Sequence, residues 1–336
     1  MKVCLYFEGK KIIKTSGIGR ALKHQMAACE SAGISYTLDP DDDYDVLHIN
    51  TVGVSSLPVI NKARAKGCKV IYHAHSTEED FRNSFVLSNQ IAPVFKKMLI
   101  SYYSKADLIL TPTPYSKKLL EGYGITVPIY ALSNGIDLNR FHYDPEKVKA
   151  FRRYFSLKDE DKVVISVGLY FERKGILDFM EVAENMPDVK FIWFGYTPLI
   201  SIPKKIRDVV TDEHPTNVIL PGYVKGAVIE GAYANADCFF FPSYEETEGI
   251  VVLEALASSQ NVLLRDIPVY DPWLVHGQNC YKGKNNEEFI AQLRKILNHE
   301  CADLREQGRI TAEKRSIQEV GRELKKIYEG VCEGNI

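Results

Sequence analysis

No C-x-x-C pair occurs in this chain. Its seven cysteines, Cys4, Cys29, Cys68, Cys238, Cys280, Cys301 and Cys332, are scattered and odd in number. That argues against zinc and disulfide frameworks and fits the reduced thiols of a cytosolic protein. Long apolar runs are missing too. No stretch approaches the roughly 18 apolar residues of a membrane span, and the opening MKVCLYFEGKK lacks the longer apolar region of a signal peptide. Nor does one sign of charge dominate. A net charge of −2 gives no global attraction to nucleic acid, so affinity for an anion or a membrane must come from local patches. Short-period repeats and low-complexity segments are absent as well.

What is present is a soluble composition, 45% hydrophobic and 26% charged over 336 residues. It is enough for two domains and for a core that needs no staple. β-rich runs at 3–7, 34–38, 45–50, 68–73, 106–111 and 127–132 alternate with helix-like stretches such as 18–32, 55–66, 88–104 and 115–122. The second half repeats the alternation, with runs at 162–168, 189–195, 217–222, 237–243 and 261–266. Near-continuous apolar strands separated by helices predict parallel sheets covered on both faces. The charged stretch 138–162 reads as a domain connection with a short helix. The tail from Glu287 is helical and able to pack on either domain. The expected class is therefore α/β, with two Rossmann-like doubly wound domains facing a cleft, residues 1–138 and 139–317. A C-terminal helix of about 318–336 is free to return to the first. Such folds bind ligands in the loops after their strands.

Four of these loops carry chemistry. In KTSGIGRALKHQ (14–25), Gly17 and Gly19 precede a helix whose N-terminus favours anions. Leu22 stands where a dinucleotide fingerprint has its third glycine, and a plain tight turn accounts for the loop equally well. In YHAHSTEEDF (72–81), His73 ends a strand and His75 lies just beyond it, placed for a ligand hydroxyl or a developing charge. Asp80 reads either as an acid of the site or as a first-turn helix carboxylate. In VGLYFERKGILDF (167–179), Arg173 and Lys174 precede Gly175 and a helix. Such a pair can neutralise a departing diphosphate, although a solvated basic turn has the same composition.

The fourth loop, SYEETEGIVVLEALA (243–257), poses a question. Glu254 sits inside an apolar helix, where an unpaired carboxylate costs several kcal/mol or shifts its pKa. Its two oxygens suit a vicinal diol such as a ribose, so a ligand is its expected partner. Glu246, eight residues earlier, reaches the helix mouth. Glu245 and Glu248 read as surface charge around them.

Taken in order, SGIGRA (16–21), HAHSTEEDF (73–81), SNGIDLNRF (133–141), VGLYFERKG (167–175) and PSYEETEGIVVLEALA (242–257) resemble the family 4 glycosyltransferases of GT-B fold. The resemblance implies a retaining transfer of a sugar from a UDP- or GDP-linked donor, with no metal and no other cofactor. Glu254 would hold the ribose and Glu246 the donor sugar. Backbone N–H groups from Thr247 through Glu248 and Gly249 to Ile250 would meet sugar and phosphate. Lys174, helped by Arg173, would stabilise the leaving diphosphate, Gly17 and Gly19 would admit the phosphates, and His75 would contact the donor sugar. Retention by same-face attack is implied, a double displacement stays open, and no nucleophile is assigned. Two departures from the family pattern are Leu169, where many members have arginine, and Glu248, where many have an aromatic.

HSTEEDF is also similar to the pattern of bacterial diacylglycerol glycolipid synthases, and most similar to the enzymes that extend glucosyl-diacylglycerol. That resemblance implies a UDP-glucose or UDP-galactose donor, a glycolipid acceptor and an anionic membrane surface at the inner face of the cell. Residues 82–105 agree with it. They contain Arg82, Lys96, Lys97 and Lys105, many apolar residues and no acid, as suits a helix lying on a membrane. Pro93 is expected to interrupt it, and an ordinary core helix is the plainer reading. A soluble transferase with a polysaccharide or small acceptor, and a non-catalytic sugar-nucleotide binder, are the alternatives. Neither the oligomeric state nor the choice between glucose and galactose is readable.

Overall fold

The computed structural model describes residues 1–8, 17–212 and 214–335. Two compact units emerge. The first contains Met1–Phe81, Gln90–Asp137 and Arg315–Ile336; the second contains Arg82–Asn89 and Leu138–Lys314. The short piece Arg82–Asn89 thus departs from the expected boundary and packs with the second unit. Asn83 O accepts from the Arg173 N–H at 3.1 Å, and the Val86 N–H donates to Ser201 O at 3.1 Å.

In the first unit β1 (Lys2–Tyr6), β2 (Ser35–Thr37), β3 (Val46–Ile49), β4 (Lys69–His73), β5 (Leu108–Thr111) and β6 (Ile129–Ala131) form one parallel sheet, ordered β2-β1-β3-β4-β5-β6. Its helices are α1 (Gly17–Ser31), α2 (Ser56–Ala65), α3 (Glu78–Phe81), α4 (Ser88–Tyr103) and α5 (Pro114–Gly122). Pro93 does not break α4. It falls in the second turn, where its ring removes one early helix bond and leaves the rest of the ladder intact.

The second unit holds α6 (Pro145–Tyr154), β7 (Val163–Val167), α7 (Ile176–Glu184), β8 (Lys190–Phe194), α8 (Lys204–Thr211), β9 (Val218–Gly222), α9 (Ala227–Asn235) and β10 (Cys238–Phe241). It continues with α10 (Ile250–Ala257), β11 (Val262–Arg265), β12 (Tyr281–Gly283), α11 (Asn286–Leu297) and α12 (Arg305–Glu313). Its sheet is also parallel, ordered β12-β11-β10-β7-β8-β9. The strand β12 is too short and too polar to stand out in the sequence.

Each sheet is apolar on both faces because helices cover both. In the first unit, alternate residues of β3 and β4 divide the core. Leu47, Ile49, Val70 and Tyr72 face one layer, while Val46 and Ile71 face the other. The second layer is closed by α13 (Ile317–Glu333), which lies against α1. Gly321 permits this approach, since a Cβ there would fall 2.4 Å from Ala28 O. The strand order reverses at β1/β3 in the first sheet and at β7/β10 in the second. Loops following the strands diverge there and leave room for a ligand.

Candidate active site

In the second unit the loops after β7 and β10 meet at the switch point. The Tyr244 N–H donates to Arg173 O at 2.7 Å, and Ser243 Oγ lies 3.2 Å from the same carbonyl. Gly175 makes this closeness possible. Its φ is +75°, and a Cβ there would sit 2.3 Å from Pro242 O.

Lys174 and Glu246 are brought together by these loops. Lys174 Nζ lies 2.5 Å from Glu246 Oε1, and Ser243 Oγ donates to the same oxygen at 2.7 Å. Arg173 Nη1 stands 4.0 Å away. Burial pushes the Glu246 carboxyl up, but the Lys174 and Arg173 charges and the Lys174 and Ser243 hydrogen bonds outweigh it. The group is held below its usual range and stays ionised.

Arg173 is not the solvated cation of a basic turn. It is buried, with Nε donating to Ser84 Oγ at 2.8 Å and Nη1 to Glu245 O at 3.0 Å. It braces its loop against residues 82–89, and its charge reaches Glu246 from that position. Sequence reading also missed Arg265, whose guanidinium donates to Pro242 O at 2.9 Å and to Asp178 Oδ1 at 2.8 Å. It stacks 3.8 Å from the Tyr244 ring centroid, so it fixes the loop that carries Glu246. Nothing in its sequence context, the end of a strand, marked it.

Glu254 is buried on α10, and its expected partner needs correction. The Tyr233 hydroxyl of α9 donates to Glu254 Oε2 at 2.8 Å, so protein satisfies part of the carboxylate. Glu248 also departs from expectation. It is 1% exposed and belongs to the interior of the loop, whereas Glu245 is half-buried. Thr247 is half-buried, Gly249 adopts φ 86° as the cap of α10, and Ile250 opens that helix. The first turn of any helix presents N–H groups that lack intrahelical acceptors.

In the first unit His75 follows β4 and is buried, its Nε2 3.0 Å from Asn50 Oδ1. Burial pushes its imidazole down to about 3, so it is neutral at physiological pH. Asn50, one residue past β3, is a partner that a search of strand C-termini finds. Gly17 opens α1, and a Cβ added to it would meet nothing within 4 Å. Gly19 lies buried within the first turn. Lys14, Thr15 and Ser16 of that loop lie outside the described residues.

The residues assigned to acceptor and membrane divide. Asp80 lies in α3, where its N–H donates to Thr77 Oγ1 at 3.1 Å. Arg82 is half-buried within the second unit. Lys96 is 3.1 Å from Glu78 and 4.2 Å from the Tyr123 ring centroid. Lys97 is exposed. Among the described residues no three His, Cys, Asp or Glu side chains group as metal ligands.

Comparison with known proteins agrees with this arrangement. Residues 147–315 match the model of glycosyl transferases group 1, and residues 32–140 match glycosyltransferase family 4. The chain is 51% identical to the processive diacylglycerol alpha-glucosyltransferase of Acholeplasma laidlawii over 98% of both chains. It is 27% identical to the alpha-galactosylglucosyldiacylglycerol synthase of Streptococcus pneumoniae over 75% of this chain and 66% of that one. Among solved structures, the sucrose-phosphate synthase of Thermosynechococcus elongatus superposes with TM-score 0.82 at 15% identity, covering 99% of this chain and 100% of that one. HepE of Anabaena, solved with UDP and glucose, superposes with TM-score 0.75 at 16% identity over 98% and 99% of the two chains. The fold is therefore GT-B, and the chain belongs to the family 4, group 1 glycosyltransferases.

Proposed function

We propose that this chain is a retaining glucosyltransferase that moves glucose from UDP-glucose to the sugar of glucosyl-diacylglycerol, giving a diglucosyl-diacylglycerol. The observation that carries the reading is the 51% identity, over 98% of both chains, to a diacylglycerol alpha-glucosyltransferase. Glucose is favoured over galactose because identity to the galactosyl-type synthase is only 27%.

The geometry of the second unit supports the donor role. Glu246 and Lys174 lie in one buried ion pair beside the N-terminus of α10. In this reading Glu246 holds donor-sugar hydroxyls, and Glu254 holds the ribose from its place beside the Tyr233 hydroxyl. Lys174, the N–H groups of residues 247–250 and the Arg173 charge stabilise the leaving diphosphate. Transfer then needs no metal, so EDTA leaves the rate unchanged. His75 serves a sugar hydroxyl.

The acceptor is a lipid, and the reading places the enzyme at the inner surface of the cell membrane. Phe85, Val86, Leu87, Ile91, Val94 and Met98 are large apolar side chains left exposed within fourteen residues of sequence, with Lys97 among them. No helix among the described residues is long and apolar enough to cross a membrane.

A donor and acceptor screen tests the proposal. UDP-glucose and UDP-galactose are offered against diacylglycerol and glucosyl-diacylglycerol in mixed micelles. The expected product is a diglucosyl lipid from UDP-glucose; binding of UDP-sugar without turnover on either lipid would refute the reading.

A further inference from the structure

Three histidines of the first unit form a buried stack. Ring centroids of His48 and His73 are 5.3 Å apart, and those of His73 and His75 are 4.1 Å apart with planes 11° from parallel. The strand register explains it. β3 and β4 run side by side with His48 opposite Ile71, so His48, Asn50, His73 and His75 follow the period-2 alternation onto one face. Gln25 of α1 and Tyr328 of α13 close that face.

The contacts link them in one chain. Tyr328 Oη lies 2.6 Å from His48 Nδ1. Gln25 Nε2 lies 3.0 Å from His48 Nε2 and 3.2 Å from His73 Nδ1. Asn50 Nδ2 donates to Gln25 Oε1 at 2.8 Å, and His75 Nε2 is 3.0 Å from Asn50 Oδ1. An amide NH2 only donates and an amide oxygen only accepts. With Gln25 donating, its two hydrogens meet lone pairs on His48 and His73, ring nitrogens that lie 3.3 Å from each other, and His73 carries its proton on Nε2, which is buried with no hydrogen-bond partner among the described residues. His48 carries its proton on Nδ1 and donates it to Tyr328. Asn50, having given its NH2 to Gln25, turns its oxygen to His75, which must donate from Nε2. Inverting both amides would reverse every proton, so the sense of the relay is one testable quantity. The amide of Asn50, whose Nδ2 donates to Gln25 Oε1, sets donation from His48 toward Tyr328. Burial, then the neighbouring Cys29 sulfur, keep the Tyr328 hydroxyl protonated.

We propose that Gln25 and Asn50 are positioning residues that lock His75 in the Nε2–H tautomer, so that Nδ1 presents a lone pair to a sugar hydroxyl. The inference rests on the reading of His75 as a residue that meets substrate. Among the described residues nothing hydrogen-bonds to His75 Nδ1. The titratable groups facing His75 among them are the imidazoles of His73 and His48, and burial pushes both down, so both are neutral.

The test uses the full chain labelled with 15N-histidine, with tautomers read from long-range 1H–15N correlations. His75 is expected to show a protonated Nε2 and a bare Nδ1. Asn50→Leu removes the acceptor; it yields mixed tautomers and lowers kcat on the order of tenfold, with little change in KM for UDP-glucose. Asn50→Asp still accepts from Nε2–H and keeps the tautomer, but its carboxylate raises the His75 pKa. A doubly protonated imidazole has no lone pair to offer. This variant therefore gains an acid limb in its pH–rate profile and recovers as pH rises, whereas the wild type has no such limb. A wild-type His75 protonated on Nδ1, or an Asn50→Asp spectrum that matches Asn50→Leu, overturns the relay. The expected tautomers with undiminished transfer in Asn50→Leu would instead overturn the role of His75 in the reaction.

Discussion

Lys174 Nζ lies 2.5 Å from Glu246 Oε1, with the two side chains 14% and 7% exposed. The pair joins loops that follow the neighbouring strands β7 and β10. The cation and the carboxylate that the proposed function assigns to a diphosphate and to a sugar therefore neutralise each other. Neither has to be stored as an isolated buried charge.

Removing the cation tests that relationship. Lys174→Ala leaves Glu246 with Ser243 and the more distant Arg173. Breaking a buried pair costs about 3 kcal/mol, and losing a group that stabilises developing charge costs on the order of 10²-fold in rate. Urea unfolding and initial rates of lipid glucosylation check both. Unchanged rates would remove Lys174 from the site.

The same pair makes stability depend on pH. Glu246 is held below its ordinary value of 4.5 in the folded chain. Its contribution is present in full above that value, and it is lost as pH falls toward and through the lower folded value. Thermal unfolding followed downward from pH 6 should show the wild type losing stability faster than Glu246→Gln, which has no charge to lose. Parallel curves for the two would contradict the assignment.

Gly175→Ala probes the junction of the loops. The residue has φ +75°, and the added methyl would overlap Pro242 O. Left-handed strain and this overlap predict a loss of about 2 kcal/mol or more, and transfer should fall because Lys174 and Glu246 sit on the two displaced loops. A neutral effect on melting would show that the loops are not packed as described.

Much of this was legible in the sequence. Apolar strands alternating with helices gave both sheets, glycine-flanked loops led to Lys174 and Glu246, and a position just past a strand led to His75. The rest depended on distant partners. Nothing local says that Tyr233 on α9 meets Glu254, that Glu78 occupies Lys96, or that Arg265 reaches back to Pro242. Glu248 looked like surface charge because the segment is rich in acids. In the fold that side chain is buried, next to Gly249 with its φ of 86°. Buried polar partners are set by tertiary packing, and neighbours in sequence carry little trace of them.

The membrane surface makes a separate prediction. Val94, 67% exposed, and Lys97 lie on α4 without protein partners among the described residues. Val94→Glu and Lys97→Glu should each weaken sedimentation with vesicles rich in anionic lipid, several-fold at low salt, since a basic residue near such a surface contributes about 1 kcal/mol. Both variants should leave thermal stability within about 0.5 kcal/mol. Undiminished vesicle binding in both would place the contact elsewhere.

The most direct test is the anomeric configuration of the new glycosidic bond. UDP-glucose carrying 13C at C1 is turned over with glucosyl-diacylglycerol in mixed micelles, and the extracted lipid is read by NMR. A retaining transfer predicts a diglucosyl-diacylglycerol whose new linkage is α. A β linkage, or label that never enters the lipid, would contradict it.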